Sequence, residues 1–260
     1  MLTIKKLIVI AIAILFAISS AAQNIKKAEW SKVKMDSSWE SLAEQGKESK
    51  STKIINKYKP AVDELNVVIG EAAKDLPSHS PESELSNFAV DAIREFADKW
   101  LSQQGIEAKT DMAVTNFGGI RLSNFPKGDI TIAQVMACFP FDNRIVILDM
   151  PGKYIRQMLQ AFARRGRVEA LSGVELYIKA NKVERFRIAG EPLKDDKIYK
   201  VATIDFLANG GDNVYSFKNA VGMTNTNVQI KDIIVDKIKA LTAEGKKVDP
   251  KVDGRVKIEK

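Results

Sequence analysis

The chain has 260 residues, a formal net charge of +7 and a hydrophobic fraction of 45%, with one cysteine and one histidine. A single cysteine excludes an intrachain disulfide, and a single histidine, His79, excludes a metal centre built on several imidazoles. Charges of both signs are interspersed, with no long basic run and no basic–aromatic interleaving, so a nucleic-acid polymer is not an expected partner.

Lys5 and Lys6 precede an apolar run, Leu7 to Ile18, and small residues from Ser19 to Ala22 follow it. That order predicts a cleaved signal peptide over residues 1–22, which leaves no stable membrane span; an uncleaved anchor is the alternative. No cysteine follows the apolar run, so it offers no lipid attachment site. Export without disulfides points to a bacterial periplasmic or secreted protein. Residues 23–63 read as a polar and helical extension. Trp30 and Trp39 are among its few apolar anchors, and a helical pattern starts at Lys53 (Ile54, Ile55, Tyr58, Val62, Leu65) and is interrupted by Pro60.

The folded domain is expected over residues 64–260. Val67 to Ala73 reads as a short strand. Residues 80–103 form the clearest helix: Ser80 and Pro81 would cap it, and Gly105 would stop it. Its stripe of Leu85, Phe88, Ala89, Ala92, Ile93, Phe96, Ala97, Trp100 and Leu101 is core. Asp111 to Arg121, DMAVTNFGGIR, reads as a strand broken at Gly118-Gly119 ahead of an arginine. That arrangement suits phosphate recognition, and equally a plain turn with a solvated arginine. A strand and helix follow over Asp129 to Phe139, with Thr131 as cap, and Cys138 is expected to be buried and inert. Arg144–Met150 is a strand and Lys153–Arg165 an amphipathic helix. Gly173–Lys179 and Val183–Ala189 form a hairpin turning near Asn181-Lys182, and Tyr199–Phe206 is a strand. Residues 228–243 are helical, and Arg255–Ile258 is a last strand. This mixture without regular alternation predicts an α/β (α+β) single domain with a mixed β-sheet flanked by helices.

Three motifs in order, NFGGIR at 116–121, PFDN at 140–143 and DFLANGGDN at 205–213, resemble the C-terminal, substrate-binding domain of the 5'-nucleotidase family. The resemblance covers roughly residues 64–260. It implies a base held between two rings, Phe141 and Phe206, with Asn143 as a base-contacting amide. It also implies a ribose on Asp212, backbone approach at Gly210 and Gly211, and substrate or phosphate contacts from Asn116, Gly118, Gly119 and Arg121. From the residues alone, both phenylalanines could equally be core, and Asp212 could equally stabilise its own turn.

Phe117 stands where the family has a first glycine, which adds bulk near the expected ligand. Asn213 replaces a glycine, and His79 or Ser80 stands where the family has an arginine. The family's dinuclear metal domain has no counterpart here, so no catalytic residue, metal ligand or cofactor is assigned to this chain. The resulting expectation is the substrate-binding part of a split 5'-nucleotidase. Divalent metals would be confined to a separately encoded metallophosphatase chain. The alternatives are a non-catalytic nucleoside- or nucleotide-scavenging protein and a structural remnant that binds nothing.

Overall fold

The computed structural model describes residues 50–259, with side chains from Thr52. The expected signal peptide and most of the expected extension therefore lie outside the described residues. The chain divides into two units, 1–57 and 58–260. Helix α1, Lys50–Leu65, begins earlier than its apolar pattern suggests and contains Pro60. Ile54, Ile55, Tyr58 and Val62 on it are exposed.

From there the order is β1 Val68–Ala72, β2 Leu76–Pro77, α2 Glu84–Gln103, β3 Met112–Thr115, β4 Asn124–Phe125, β5 Gly128–Thr131, α3 Ile132–Cys138, β6 Arg144–Pro151 and α4 Gly152–Arg165. Then come β7 Ala170–Ser172, β8 Val174–Lys179, β9 Lys182–Ile188, β10 Glu191–Pro192, β11 Ile198–Ile204, α5 Asp205–Ala208, β12 Gly222–Gln229, α6 Ile230–Ala243 and β13 Val256–Glu259. The mixed α/β expectation holds, but with two principal sheets. A five-stranded sheet runs β12-β6-β11-β3-β7 and a four-stranded one β10-β9-β8-β13. Both are mixed: β11 pairs parallel with β3 and β13 parallel with β8, against antiparallel neighbours.

Strand β6 is buried over most of its length, as a near-continuous apolar run such as RIVILDM requires at the middle of a covered sheet. Helix α2 lays Leu85, Phe88, Ala89, Ile93 and Leu101 into the core against β3, β7 and β11. Its start lies three residues after Ser80-Pro81, at N-cap Ser83. The Ser83 amide donates to Ser86 Oγ (3.0 Å), and the His79 amide donates to Ser83 Oγ (3.1 Å). Thr131 caps α3 as expected, receiving the Gln134 amide and donating toward its side chain. The β8–β9 hairpin turns at Ala180-Asn181, both at positive φ (47° and 61°), a residue earlier than expected.

Topology places the three motifs together. Ile204 at the end of β11 pairs with Ile145 at the start of β6, and Ala202 pairs with Ala113 in parallel β3. The loops after β3 and β11 and the loop before β6 therefore leave the same end of the five-stranded sheet. In open α/β sheets that is where ligands are received.

Candidate functional site

Each loop begins where a strand runs out. After β3 the chain makes one 3-10 turn, Phe117–Gly119, and Asn116 at its start folds its amide inward. Asn116 Nδ2 donates to Asp212 Oδ2 at 2.6 Å, joining two loops 96 residues apart. Asn116 is 4% exposed, and its Oδ1 is buried with no partner among the described residues. The two glycines exist to admit this amide. A Cβ on Gly119 would lie 2.7 Å from Asn116 Oδ1, and one on Gly118 would lie 3.3 Å from Nδ2. The side of Gly118-Gly119 on which a Cβ would project therefore faces the protein's own Asn116 side chain.

After β11 the expected strand stops at Ile204, and Phe206 falls in the short helix α5. Gly210 (φ 88°) turns the chain left-handed, and Gly211 lies flat against the Phe206 ring, where any Cβ would collide. Asp212 is itself left-handed (φ 49°, ψ 29°), an uncommon state for a residue with a side chain. One carboxylate oxygen accepts from Asn116, while Oδ1 has no partner among the described residues. Tyr215 follows, exposed, its hydroxyl on Asn213 Oδ1 at 2.9 Å.

Phe141 and Phe206 are 46% and 42% exposed. They are therefore not core phenylalanines, and each forgoes part of the roughly 1.5–3 kcal/mol that full burial of such a ring contributes. Arg121 spans the gap between loops: its guanidinium sits 5.8 Å from the Phe141 ring centre, and Nη1 reaches the Gly118 carbonyl at 3.4 Å. Asn143, Phe141, Gly119 and Thr115 line a crevice of about 10 Å³, the size of one water. All ten expected residues therefore fall in one contact chain, from Asn143 and Phe141 through Arg121, Gly118, Gly119, Asn116 and Asp212 to Gly211, Phe206 and neighbouring Gly210.

Phe117 does not crowd this surface. Its side chain belongs to the core, and its amide donates to Glu169 Oε2 at 3.0 Å. Sequence reasoning missed Glu169 and its partner Arg165, which donates to Glu169 Oε1 at 2.6 Å and to the Asp212 carbonyl at 3.0 Å. The available signal was a lone acid in the apolar run VEAL, because a buried carboxylate requires donors. Ser80, one of the two residues at which the family's arginine could fall, donates to the Val168 carbonyl at 3.3 Å beside this pair.

A larger cavity of about 560 Å³ lies elsewhere, bordered by Asp91, Arg94, Asp98, Glu175 and Arg255. Size would favour it, and of its two guanidiniums only that of Arg255 is saturated, Arg94 making one long bond from Nε to the Thr110 carbonyl at 3.4 Å. Arg255 donates from both terminal nitrogens to Asp91 (2.6 and 3.1 Å) and also to Asp253 (2.8 Å).

Among the described residues no three His, Cys, Asp or Glu side chains converge to hold a metal ion. The described residues do not fit the family's dinuclear centre. Cys138 is buried, and burial pushes its thiol up to about 12. A thiol reagent at pH 8 is therefore expected to label the native protein slowly and the urea-unfolded protein at an ordinary rate. Rapid native labelling would contradict the buried placement.

Comparisons with known proteins agree with the fold. The family described as "5'-nucleotidase, C-terminal domain" matches residues 68–219, more than half of the chain. The trifunctional nucleotide phosphoesterase protein YfkN of Bacillus subtilis is 30% identical over 191 residues, covering 68% of this chain and 12% of that protein. Cell wall protein Lmo0130 of Listeria monocytogenes is 31% identical over 217 residues, covering 74% of this chain and 27% of that one. A solved structure, the 5'-nucleotidase precursor from Thermus thermophilus, superposes with a TM-score of 0.67 at 27% identity, over 80% of this chain and 43% of that one. The match therefore spans less than half the length of each of these relatives. The chain belongs to the 5'-nucleotidase C-terminal domain family.

Proposed function

We propose that this protein is the nucleotide-recognition part of a split 5'-nucleotidase, working with a separate metallophosphatase chain. The carrying observation is the pair of exposed rings, Phe141 and Phe206, tied through Arg121 and Asn116 to an Asp212 carboxylate with one oxygen uncommitted. A nucleoside matches that set: rings stack on a base, and a carboxylate oxygen accepts from ribose hydroxyls. The crevice beneath Phe141 is too small to enclose a ligand, so the surface suits a substrate closed over by a second body.

Division of labour follows from the chemistry. Hydrolysis of a phosphate monoester by a metal pair needs converging ligands, which one histidine and dispersed carboxylates do not supply. Positioning the nucleotide at metals held elsewhere is a contribution this chain's own residues can make. Export is part of the proposal. It is supported by the basic-then-apolar start of the sequence and by the cell-wall designation of the Listeria relative. Among the described residues no helix is long and apolar enough to cross a membrane.

The test is turnover. Purified alone with Mn²⁺, Zn²⁺ or Mg²⁺, the chain is expected to release no phosphate from 5'-nucleotides above background. Mixed with its metallophosphatase chain it is expected to raise nucleotidase turnover, and Phe206→Ala is expected to remove that gain. Metal-dependent hydrolysis by the chain alone would falsify the split arrangement. Binding without any such partner effect would leave nucleotide scavenging as the function.

Arg121 separates nucleotide from nucleoside. Its guanidinium has one long hydrogen bond and a ring contact, which leaves donors for phosphate oxygens. Arg121→Ala is expected to weaken AMP binding by about 1.5–3 kcal/mol and adenosine binding by much less. Equal losses in calorimetric titrations would show that Arg121 only braces Phe141 and the Gly118 turn.

A further inference from the structure

Five residues from three distant segments close a ring behind the site. Asn116 Nδ2 holds Asp212 Oδ2 at 2.6 Å, and the Asp212 carbonyl accepts from Arg165 Nη1 at 3.0 Å. Arg165 Nη2 holds Glu169 Oε1 at 2.6 Å, and Glu169 Oε2 accepts the Phe117 amide at 3.0 Å, one residue from Asn116 again. We propose that Arg165 and Glu169 are positioning residues which fix the Asp212 carboxylate toward a ribose and so govern discrimination between a nucleoside and its free base. This rests on the nucleoside-binding reading above and adds to it the residues that set its sugar contact.

An ion pair four residues apart at a helix end is ordinarily worth little, because water screens it and two flexible side chains must be ordered. This one is different in three respects. The Glu169 side chain is only 3% exposed, so its charge requires partners, and it has one on each oxygen. The Arg165 guanidinium is held on every edge: Nε donates to the Arg167 carbonyl at 2.8 Å, and one face lies 4.6 Å from the Phe162 ring centre in the core. The third respect is the restraint on Asp212. It adopts a left-handed backbone that costs an ordinary residue about 1 kcal/mol or more. Its carbonyl and its side chain are both tied down, by Arg165 and Asn116 respectively.

Such double restraint orients the remaining oxygen, Oδ1. Without Arg165 the peptide after Asp212 loses its anchor and the carboxylate gains rotamers that do not face a ligand. Without the Glu169 charge, Arg165 and the Phe117 amide lose their common acceptor, and the Asn116 side of the ring is freed as well. Neither residue reaches the exposed rings, so base stacking is expected to survive the loss of either.

Calorimetric titration of the full chain with adenosine and with adenine separates these effects. Arg165→Ala is expected to weaken adenosine binding about tenfold, as loss of a charge-assisted restraint would, and to leave adenine binding within about twofold of the parent. Arg165→Lys, which can serve only part of the ring, is expected to fall between. Combining Arg165→Ala with Asp212→Asn is expected to add almost nothing to the loss from Asp212→Asn alone, since both act through one carboxylate. In the ligand-free protein, Arg165→Ala is expected to speed amide hydrogen exchange at Phe117 and at residues 210–213, with far-UV circular dichroism unchanged. Should Arg165→Ala fail to fold, Glu169→Gln is read by the same ligand pair and the same amides. Adenosine binding at the parental level in a folded variant, or parallel losses for adenosine and adenine, would overturn the positioning role while nucleoside recognition stands. A parent protein that binds neither ligand would instead remove the functional reading and this inference with it.

Discussion

Removing both exposed rings with Phe141→Ala and Phe206→Ala is expected to abolish measurable nucleoside binding while the fold persists. Each ring stacked on a base contributes about 1–3 kcal/mol, so the pair accounts for roughly 2–6 kcal/mol and a loss of some 30-fold to more than 10⁴-fold. Each single variant is expected to lose its own share. The fold should tolerate the change because both rings are nearly half exposed, and truncation opens no cavity in the core. Phe206 carries a small additional cost, because Gly211 is packed flat against its ring and that turn would lose its neighbour. Calorimetric titration with adenosine, alongside urea unfolding, reads both quantities. A folded double variant that binds adenosine as the parent does would remove the rings from the site.

The largest expected loss of stability lies far from the site, at Glu82. This carboxylate is 6% exposed and collects four donors. Asn87 Nδ2 and the Asp253 amide reach Oε1 at 2.8 Å, the Gly254 amide reaches it at 3.2 Å, and the Val256 amide reaches Oε2 at 3.4 Å. Glu82 therefore pins the segment that enters β13 against the start of α2. Arg255 fastens the same segment to Asp91, whose Oδ1 also accepts from Ser172 at 2.5 Å. The Arg255 hydrogen bond holds the Asp253 carboxyl below its ordinary value. Glu82→Ala leaves the buried Val256 amide and Asn87 Nδ2 without this acceptor, along with the partly buried amides of Asp253 and Gly254, and is expected to cost about 3–5 kcal/mol. That corresponds to a melting temperature lower by roughly 6–20 °C for a domain of this size. Glu82→Gln keeps one acceptor and is expected to cost less. A change below about 1 kcal/mol for Glu82→Ala in urea unfolding would mean that the C-terminal segment is held chiefly by strand pairing.

What was legible in the sequence is what burial writes into spacing. The stripe from Leu85 to Leu101 and the unbroken run of β6 announce a covered helix and a covered strand. Thr131 and Gln134 announce a cap with their side chains alone. Strand β12, GMTNTNVQ, was not legible, since it is an edge strand joined to β6 by backbone pairing and most of its side chains face solvent. The start of α2 was misplaced because Ser80-Pro81 carries the local signal for a helix start. The hydroxyls of Ser83 and Ser86 supply the actual cap, and Glu82 just before it is committed to a partner 171 residues away.

The site divides in the same way. Phe141, Phe206, Asp212 and the glycines could be named because each motif is contiguous. The direction of Phe117 and the Arg165–Glu169 ring could not, because they depend on which loops meet at the sheet end. Gly118 and Gly119 show the limit most clearly. The residue types suggested backbone that a ligand could approach, and gave no hint that the Cβ side of both glycines would face the amide of Asn116.

The most direct measurement of the central claim, recognition of nucleosides and nucleotides by this chain itself, is a thermal melt of the purified protein. The panel should hold nucleosides, 5'-nucleotides, free ribose and inorganic phosphate. A ligand that binds only the folded state at a hundred times its Kd adds about 2.7 kcal/mol, or roughly 5–11 °C for a domain of this size. Saturable shifts of that order are expected for nucleosides and 5'-nucleotides, and none for ribose or phosphate alone. No shift with any nucleoside or nucleotide at millimolar concentration would contradict it.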